Sequence, residues 1–308
     1  MTSGQIKSMN PFQWGLLIIL SIFWGGSFLF VGIAVQDFQP FTIAFLRVSI
    51  ASCILWLVII ISPIQIPKKA SIWTSFFIMG TINSAIPFSL IAWGQSHISS
   101  GLASILIATT PLITVIGAHF FTTDEKITTN RLVGVSMGFL GVIVLLGPDL
   151  LGGIGKNFLG QLAIILSAIL YALASIYGRR YSKQKIPPLV IATGQVTAST
   201  IILFPTIILI EQPWLYSPPS SISWAAITSL GVFSTAIAYL LYFRILATAG
   251  ATNLMLVNFL VPITAIFLGI MVLDESISFQ NILGMLFIAI GLALIDGRLN
   301  KKIKILLS

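Results

Sequence analysis

The sequence predicts an all-α membrane protein with ten transmembrane helices, arranged as two inverted five-helix repeats. Three observations predict this fold class: an apolar composition, a long stretch that occurs twice, and a strong bias in the placement of basic residues. Hydrophobic residues make up 57% of the 308 residues, and charged residues only 8%. Because soluble domains average about 25% charged residues, this chain cannot cover a water-facing surface and must have lipid as its solvent.

Ten apolar segments approach the length that crosses a bilayer, whose hydrocarbon core takes about 20 helical residues. Turn signals rich in proline and glycine separate the segments, and no linker is long enough to form a soluble domain. The predicted spans, numbered 1 to 10, cover residues 14–35, 41–61, 72–94, 100–121, 131–147, 160–178, 188–210, 224–243, 250–273 and 280–296.

The stretch from Met79 to Thr128 occurs a second time from Leu230 to Ser278. Spans 1–5 form the first repeat, residues 13–147, and spans 6–10 form the second, residues 159–296. Because five is an odd number, the second repeat must cross the membrane in the opposite sense. Transporters use such inverted repeats to build a site near the bilayer midplane. Three matched pairs share one constant offset: Gly80 with Gly231, Phe88 with Tyr239, and Pro111 with Pro262.

Basic residues lie almost entirely on one side of the predicted membrane. If both termini are cytoplasmic, fourteen of the sixteen Lys and Arg residues are cytoplasmic, whereas Lys156 lies outside and Arg47 lies within span 2. Since basic residues favour the cytoplasmic side, we expect both termini in the cytoplasm. The fourteen residues are Lys7, Lys68, Lys69, Lys126, Arg131, Arg179, Arg180, Lys183, Lys185, Arg244, Arg298, Lys301, Lys302 and Lys304.

Several short motifs occur in the same order in the two halves, and together they resemble the EamA type of the drug/metabolite transporter superfamily. The resemblance implies two EamA domains in a multi-pass protein of the cytoplasmic (inner) membrane. It also implies export of small metabolites or drugs, such as amino acids or amines, without a cofactor. The motifs are WGGSF at Trp24–Phe28, FLR at Phe45–Arg47, Pro111 followed by DEKIT at Asp124–Thr128, AGAT at Ala249–Thr252, and Pro262 followed by LDESIS at Leu273–Ser278.

The composition and the missing motifs narrow the class of function. The single cysteine, Cys53, allows no disulfide within the chain and no cysteine-based metal site. Enzyme signatures such as HExxH, GxSxG or a phosphate-binding loop do not occur, and no basic patch indicates nucleic-acid binding. We therefore expect a transporter that binds a small-molecule substrate within the lipid bilayer. A membrane-embedded enzyme and a non-transporting structural subunit are the alternatives.

Polar and aromatic residues of spans 1, 3, 4, 6, 8 and 9 predict a substrate site near the midplane. Polar groups at membrane depth face the protein interior or a water-filled cavity, and ligand sites combine aromatic walls with few polar groups. The alternative is that these residues only bond neighbouring helices. The predicted site residues are Trp24, Ser27, Asn83, Ser84, Phe88, Thr110, Tyr171, Ser175, Thr235, Tyr239, Tyr242 and Asn258.

Two prolines inside spans 4 and 9 are predicted to act as hinges. Proline removes one helical hydrogen bond and frees the carbonyl four residues earlier. Pro111 therefore frees the carbonyl of Ile107, and Pro262 frees that of Asn258. A passive kink is the alternative, but the equivalent positions of the two prolines favour a functional bend.

Arg47 is the only full charge deep within a predicted span. Such a charge costs about 2.5–3.5 kcal/mol on insertion scales and needs water or a partner. It can contact an anionic group of the substrate, or it can bond to backbone carbonyls of neighbouring helices, which we favour. All eight carboxylates fall in loops or at helix ends, and this favours facilitated diffusion or exchange over ion-coupled transport.

Two features near spans 5 and 10 predict how these helices begin and pack. Glu125 and Glu275 precede them and are expected to stabilise their N-termini through the helix dipole. Small residues let membrane helices approach closely, so the glycines of these spans predict packing of span 5 on span 10 within one chain. The alternative is a homodimer formed through the same helices. The glycines are Gly134, Gly138 and Gly141 in span 5, and Gly284 and Gly291 in span 10.

Overall fold

The computed structural model describes residues 9–121, 127–151, 155–254 and 256–296, which form helices and short connections without a strand. We number the helical segments α1 to α10 in chain order. They are α1 Pro11–Ala34, α2 Pro40–Ile60, α3 Ala70–Gln95, α4 Ser100–Phe121, α5 Thr129–Leu151, α6 Lys156–Lys183, α7 Pro188–Thr206 with its extension Ile207–Glu211, α8 Ser221–Ala249, α9 Ala251–Leu254 with Val257–Leu273, and α10 Phe279–Asp296.

The ten segments agree with the ten predicted spans and confirm an all-α membrane protein. Seven of them, α1 to α4 and α6 to α8, contain helices long and apolar enough to cross a membrane. The other three contain shorter apolar helices, Arg131–Leu146, Val257–Leu273 and Phe279–Ile295. A membrane requires every backbone group of such a segment to be bonded internally, so an all-helical fold is the expected result.

Proline and capping residues define where the first two helices begin. Asn10 forms a capping box with Gln13, and Pro11 occupies the first turn of α1, where its missing N–H is tolerated. Pro40 starts α2 in the same way, but Gln39 at the N-cap makes no side-chain hydrogen bond. The first N–H groups of α2 therefore need an acceptor from elsewhere in the chain.

Helix packing follows the twofold relation between the repeats. Helix α1 packs against α8 and α9 of the second repeat, and its counterpart α6 packs against α3 and α4 of the first. Helix α2 packs against its counterpart α7, and α5 packs against its counterpart α10. The centre of the bundle is therefore built from both halves of the chain.

Glycine contacts hold α5 against α10 within the chain, as the sequence predicts. A Cβ added at Gly134 would lie 2.7 Å from the carbonyl oxygen of Gly291, and one added at Gly141 would lie 2.7 Å from that of Gly284. Only glycine allows backbones to approach this closely. Because these faces are occupied within the chain, the alternative of a homodimer would need other surfaces of the two helices. The oligomeric state stays a prediction.

The middles of α3 and α8 depart from the predicted α-helical spacing. Residues Thr81–Ala85 of α3 and Val232–Ile237 of α8 are π-helical, and they begin at equivalent positions in the two repeats. The N–H of Ile86 bonds to the carbonyl of Thr81, five residues earlier. Three- and four-residue spacing in the sequence predicts that Asn83, Ser84 and Phe88 share one side of an α-helix. This α-helical spacing is not kept, because the π turn contains an additional residue.

Helices α4 and α9 are each interrupted near their proline. The α-helical hydrogen bonding of α4 stops after Ile107 and resumes at Thr110, just before Pro111. The carbonyl of Ile107, which the proline leaves free, accepts a hydrogen bond from the Thr110 hydroxyl at 2.7 Å. In α9 the interruption precedes Val257, and Pro262 lies inside the following helix. The role of the two prolines as hinges stays a prediction.

We expect the substitution Gly141→Val to destabilise the protein, because its side chain would collide with the backbone of α10. Overpacking of this kind typically costs about 1–3 kcal/mol. Thermal unfolding of the purified protein in detergent measures the effect. Gly15→Val is the matched control, since a Cβ at Gly15 meets no atom within 4 Å. Equal melting temperatures for the two variants would contradict the proposed packing.

Candidate functional site

Arg47 lies at the centre of the bundle and is the organising residue of the candidate site. Its side chain is 6% exposed, and its Nε donates a hydrogen bond to the Thr235 hydroxyl at 2.9 Å. Its guanidinium carbon lies 3.8 Å from the centre of the Phe88 ring, a cation–π contact. Arg47 belongs to α2, Phe88 to α3 and Thr235 to α8, so both repeats position this charge.

The expectation that Arg47 bonds to backbone carbonyls of neighbouring helices is wrong among the described residues. Its one hydrogen bond there goes to a side-chain hydroxyl, and that hydroxyl in turn donates to the carbonyl of Leu230 at 2.8 Å. Leu230 is five residues before Thr235, so the π turn of α8 gives the hydroxyl its orientation. No hydrogen bond between described residues uses the terminal nitrogens Nη1 and Nη2 of Arg47.

Polar side chains from the π turn of α3 lie next to Tyr239 of α8, which is itself close to Arg47. Asn83 donates from its Nδ2 to the Oε1 of Gln195 on α7 at 3.2 Å. Ser84 is fully buried, and its hydroxyl has no hydrogen-bond partner in the described structure. The Tyr239 side chain of α8 lies next to Asn83 and Ser84. The side chains of Asn83, Ser84 and Tyr239 therefore bring polar groups of the two repeats together.

Aromatic side chains form the other wall of the candidate site. The rings of Trp24 on α1 and Tyr242 on α8 lie 5.8 Å apart. Tyr239 stacks on Phe243 at 6.3 Å, and Phe243 meets Tyr242 edge to face at 5.2 Å. Tyr171 of α6 packs against both of the larger hydrophobic clusters of the core. Three helices, α1 of the first repeat and α6 and α8 of the second, therefore contribute half-buried aromatic rings to this part of the core.

Three predicted site residues bond within their own helices and not to this cluster in the described structure. The hydroxyls of Ser27, Thr110 and Ser175 donate to carbonyls three residues earlier in their own helices. Ser175 is also exposed, and Asn258 occupies a half-buried position in α9. The remaining predicted residues contribute to the charge, polar and aromatic parts described above.

Sequence reasoning missed two contributors, Gln195 and Phe243. Gln195 is 3% exposed in the middle of an apolar helix, and a buried glutamine at membrane depth is itself a signal of function. It was overlooked because span 7 has no counterpart of the repeated polar pattern that marks spans 3 and 8. Phe243 lies in a span with many aromatic residues, so nothing in the sequence distinguishes it.

Three carboxylates join the two repeats at one end of the bundle, which we call the carboxylate face. Glu275, which follows α9, accepts hydrogen bonds from the backbone N–H groups of Ser100 and Gly101 at 2.6 and 3.0 Å. Glu275 thus stabilises the N-terminus of α4. The prediction that it stabilises the N-terminus of α10 is wrong. The Ser278 hydroxyl accepts the N–H of Asn281 at the start of α10 instead. Glu125, its counterpart, lies outside the described residues.

Glu211 supplies the acceptor that the start of α2 lacks. Its carboxylate accepts hydrogen bonds from the N–H of Phe41 at 2.8 Å and from the N–H and hydroxyl of Thr42 at 2.6 and 2.7 Å. Glu211 ends the π-helical extension of α7, and Gln212 follows it in a left-handed conformation. That local geometry turns the carboxylate towards the first repeat.

Asp37 makes the third contact, from the first repeat to the second. Its Oδ2 accepts hydrogen bonds from the hydroxyl and N–H of Ser220 at 2.6 and 3.0 Å, and from the Ser223 hydroxyl at 2.7 Å. These hydrogen bonds, that from the Ser220 hydroxyl first, lower the pKa of the Asp37 carboxyl below its ordinary value. The carboxyl group is therefore ionised at neutral pH. Its negative charge stabilises the N-terminus of α8 through the helix dipole.

Comparison with known proteins gives matches along nearly the whole chain. The sequence profile of the EamA-like transporter family matches twice, over residues 13–147 and 158–296. The uncharacterized transporter YoaV of Bacillus subtilis (strain 168) is 22% identical over 281 residues, which cover 90% of this chain and 94% of YoaV. The uncharacterized inner membrane transporter YedA of Escherichia coli (strain K12) is 26% identical over 270 residues, 86% of this chain and 84% of YedA.

A solved crystal structure has the same fold. It superposes with a TM-score of 0.65, covers 93% of this chain and is itself covered to 96%. The two sequences are 18% identical, so this match concerns the architecture alone. It agrees with the helix order and the packing between repeats described above.

We expect Glu275→Gln to lower the thermal stability of the purified protein. A neutral amide has one oxygen acceptor where the carboxylate has two, and hydrogen bonds to charged groups contribute about 1.5–3 kcal/mol each. Asp274→Asn is the matched control, because Asp274 is exposed and asparagine tolerates its left-handed backbone. If both variants melt at the wild-type temperature, the carboxylate contacts do not stabilise the fold.

Proposed function

The chain belongs to the EamA-like transporter family, and on that premise we propose that it exports a small metabolite or drug across the cytoplasmic membrane by alternating access. Amino acids, amines and similar compounds are the candidate substrates. The two repeats, residues 13–147 and 159–296, form the halves that move relative to each other. The substrate binds between them, in the cluster around Arg47.

One observation carries this proposal: the π-helical turns of α3 and α8 lie at equivalent positions in the two repeats. They place Asn83 and Ser84 of one half beside Tyr239, and Thr235 of the other half against Arg47. π-Helical turns occur frequently at functional sites. A site built from matching elements of two inverted repeats lies where either half can expose it, which is the requirement for alternating access.

The orientation of the protein follows from the placement of the basic residues. We place the carboxylate face outside and the termini in the cytoplasm, as the distribution of fourteen basic residues favours. The outer side is then the closed one, because Asp37, Glu211 and Glu275 join the repeats there. Opening to the outside requires these contacts to break, and Pro111 and Pro262 would allow α4 and α9 to bend as it happens.

Reconstitution tests the function. The purified protein in proteoliposomes should carry labelled substrate across the membrane and release it chemically unchanged, whereas an enzyme would convert it. Candidate substrates come from a screen for compounds that raise the melting temperature, since binding stabilises the native state. Reporter fusions after Lys185 fix the sidedness and should behave as cytoplasmic.

Three substitutions test the location of the site. Trp24→Ala, Asn83→Ala and Tyr239→Ala should each weaken substrate binding about tenfold or more, as expected when a buried aromatic or hydrogen-bonding contact is lost. Isothermal titration with the identified substrate measures the affinity. Phe267→Ala is the control, because Phe267 is 60% exposed on the outer surface of α9. Well-folded variants with unchanged affinity would place the site elsewhere.

A further inference from the structure

We propose that the central cluster is a binding site for an organic monocarboxylate with an apolar or aromatic body, whose carboxylate is held by the Nη1 and Nη2 nitrogens of Arg47. This inference rests on the proposed function and narrows the small metabolite or drug named there to organic acids. Amines and quaternary ammonium compounds are expected to bind poorly. The argument depends on the hydrogen-bonding capacity, the orientation and the charge of Arg47.

The first step concerns hydrogen-bond donors. A guanidinium group carries five N–H donors, and the described residues provide a partner for only one, the Nε–H that bonds to Thr235. Neither Nη1 nor Nη2 is among the fully enclosed polar atoms that lack a partner, so neither nitrogen is completely covered by the described residues. Four donors are therefore available, although the side chain is 94% buried.

The second step concerns orientation. The guanidinium carbon lies over the Phe88 ring, 3.8 Å from its centre, a separation at which arginine stacks its flat face on an aromatic ring. Contact with the face leaves the edge free, and all five N–H bonds lie in the plane of the group and point outward from its edge. With Nε–H fixed on Thr235, the two terminal nitrogens present a fork. That fork matches the two oxygens of a carboxylate.

The third step concerns charge. The eight carboxylates of the chain are Asp37, Asp124, Glu125, Asp149, Glu211, Asp274, Glu275 and Asp296, and none of them falls within the apolar part of a predicted span. Arg47 is therefore a single positive charge at membrane depth, and the apolar parts of the predicted spans contain no carboxylate that could neutralise it. A monoanion would neutralise it, whereas a phosphate dianion would leave one negative charge and an amine would add a second positive one. Uncompensated charge in a site of low dielectric constant is strongly unfavourable.

The fourth step concerns the body of the ligand. The aromatic part of the cluster consists of two ring pairs, Trp24 with Tyr242 and Tyr239 with Phe243. Such rings bind apolar and aromatic groups through surface burial and ring contacts. A compound with one acidic end and one apolar end therefore matches both the charged and the aromatic part.

The experiment compares compounds that differ only in their end group. Indole-3-acetate, phenylacetate and hexanoate are each tested against the corresponding amide and the amine of the same skeleton, by thermal stabilisation of the purified full-length protein. At least one acid should raise the melting temperature of the wild type, and its amide and amine should not. Stabilisation by amides or amines equal to that by acids, or by no acid at all, overturns the proposal.

Substitutions locate the binding group. Arg47→Gln should weaken binding of the stabilising acid about 10- to 100-fold, the effect of losing charged hydrogen bonds, and Arg47→Lys should bind more weakly than wild type because lysine cannot make the bidentate contact. Arg244→Gln is the matched control for loss of a charge, since Arg244 is exposed on α8. If Arg47→Gln cannot be purified, Arg47→Lys decides, and unchanged affinity in either variant refutes the assignment.

Transport assays separate this inference from the proposed function. Flux of an amine or amide at the rate of the matching acid would leave transport intact and overturn the carboxylate site. Acid binding that depends on Arg47, without flux of any tested compound in proteoliposomes, would support the site and overturn the transport proposal.

Discussion

A helix that begins at the surface of a membrane exposes N–H groups that need acceptors, and in this protein carboxylates from the other repeat provide them. Glu211 serves α2, Glu275 serves α4 and Asp37 serves α8. Each contact joins the end of a helix in one repeat to the start of a helix in the other. The same hydrogen bonds therefore complete the secondary structure and hold the two halves together at the carboxylate face.

The centre of the bundle has the opposite character. There Arg47 is anchored at one nitrogen and on one face, by Thr235 and Phe88, while its terminal nitrogens have no partner among the described residues. Stability alone would favour a fully bonded group or an apolar side chain at this depth. The carboxylate face has its hydrogen bonds satisfied and can hold the two halves together. The central cluster keeps unused hydrogen-bond donors, as a binding site between two movable halves requires.

Composition, charge placement and the repeat were enough to predict the ten helices and their arrangement in two repeats, because hydrophobic length and the constant offset of Gly80 and Gly231 are properties of the sequence. The site was predicted in part. Asn83, Tyr239 and Tyr242 lie in the cluster, whereas the hydroxyl of Ser175 is bonded within its own helix. Residue spacing could not reveal the π turns, since they change which side chains share a face.

Long-range partners were the other limit of sequence reasoning. Glu275 was assigned to the helix that follows it, because capping is usually local in the chain, but it bonds to Ser100, 175 residues away. The same holds for Arg47 and Thr235, which are 188 residues apart. Such pairs depend on the packing of one repeat against the other, and a single sequence does not contain that information.

The central claim is that carboxylates hold the two repeats together at one face of the bundle. The most direct test is a distance measurement by pulsed electron spin resonance in nanodiscs, with spin labels at Ser96→Cys and Ser276→Cys on the two sides of this face and Cys53→Ser as background. The wild-type pair should give one short, narrow distance distribution, and the added substitutions Glu211→Gln and Glu275→Gln should create a second population at longer distance. A distribution unchanged by the loss of both carboxylates would contradict the account.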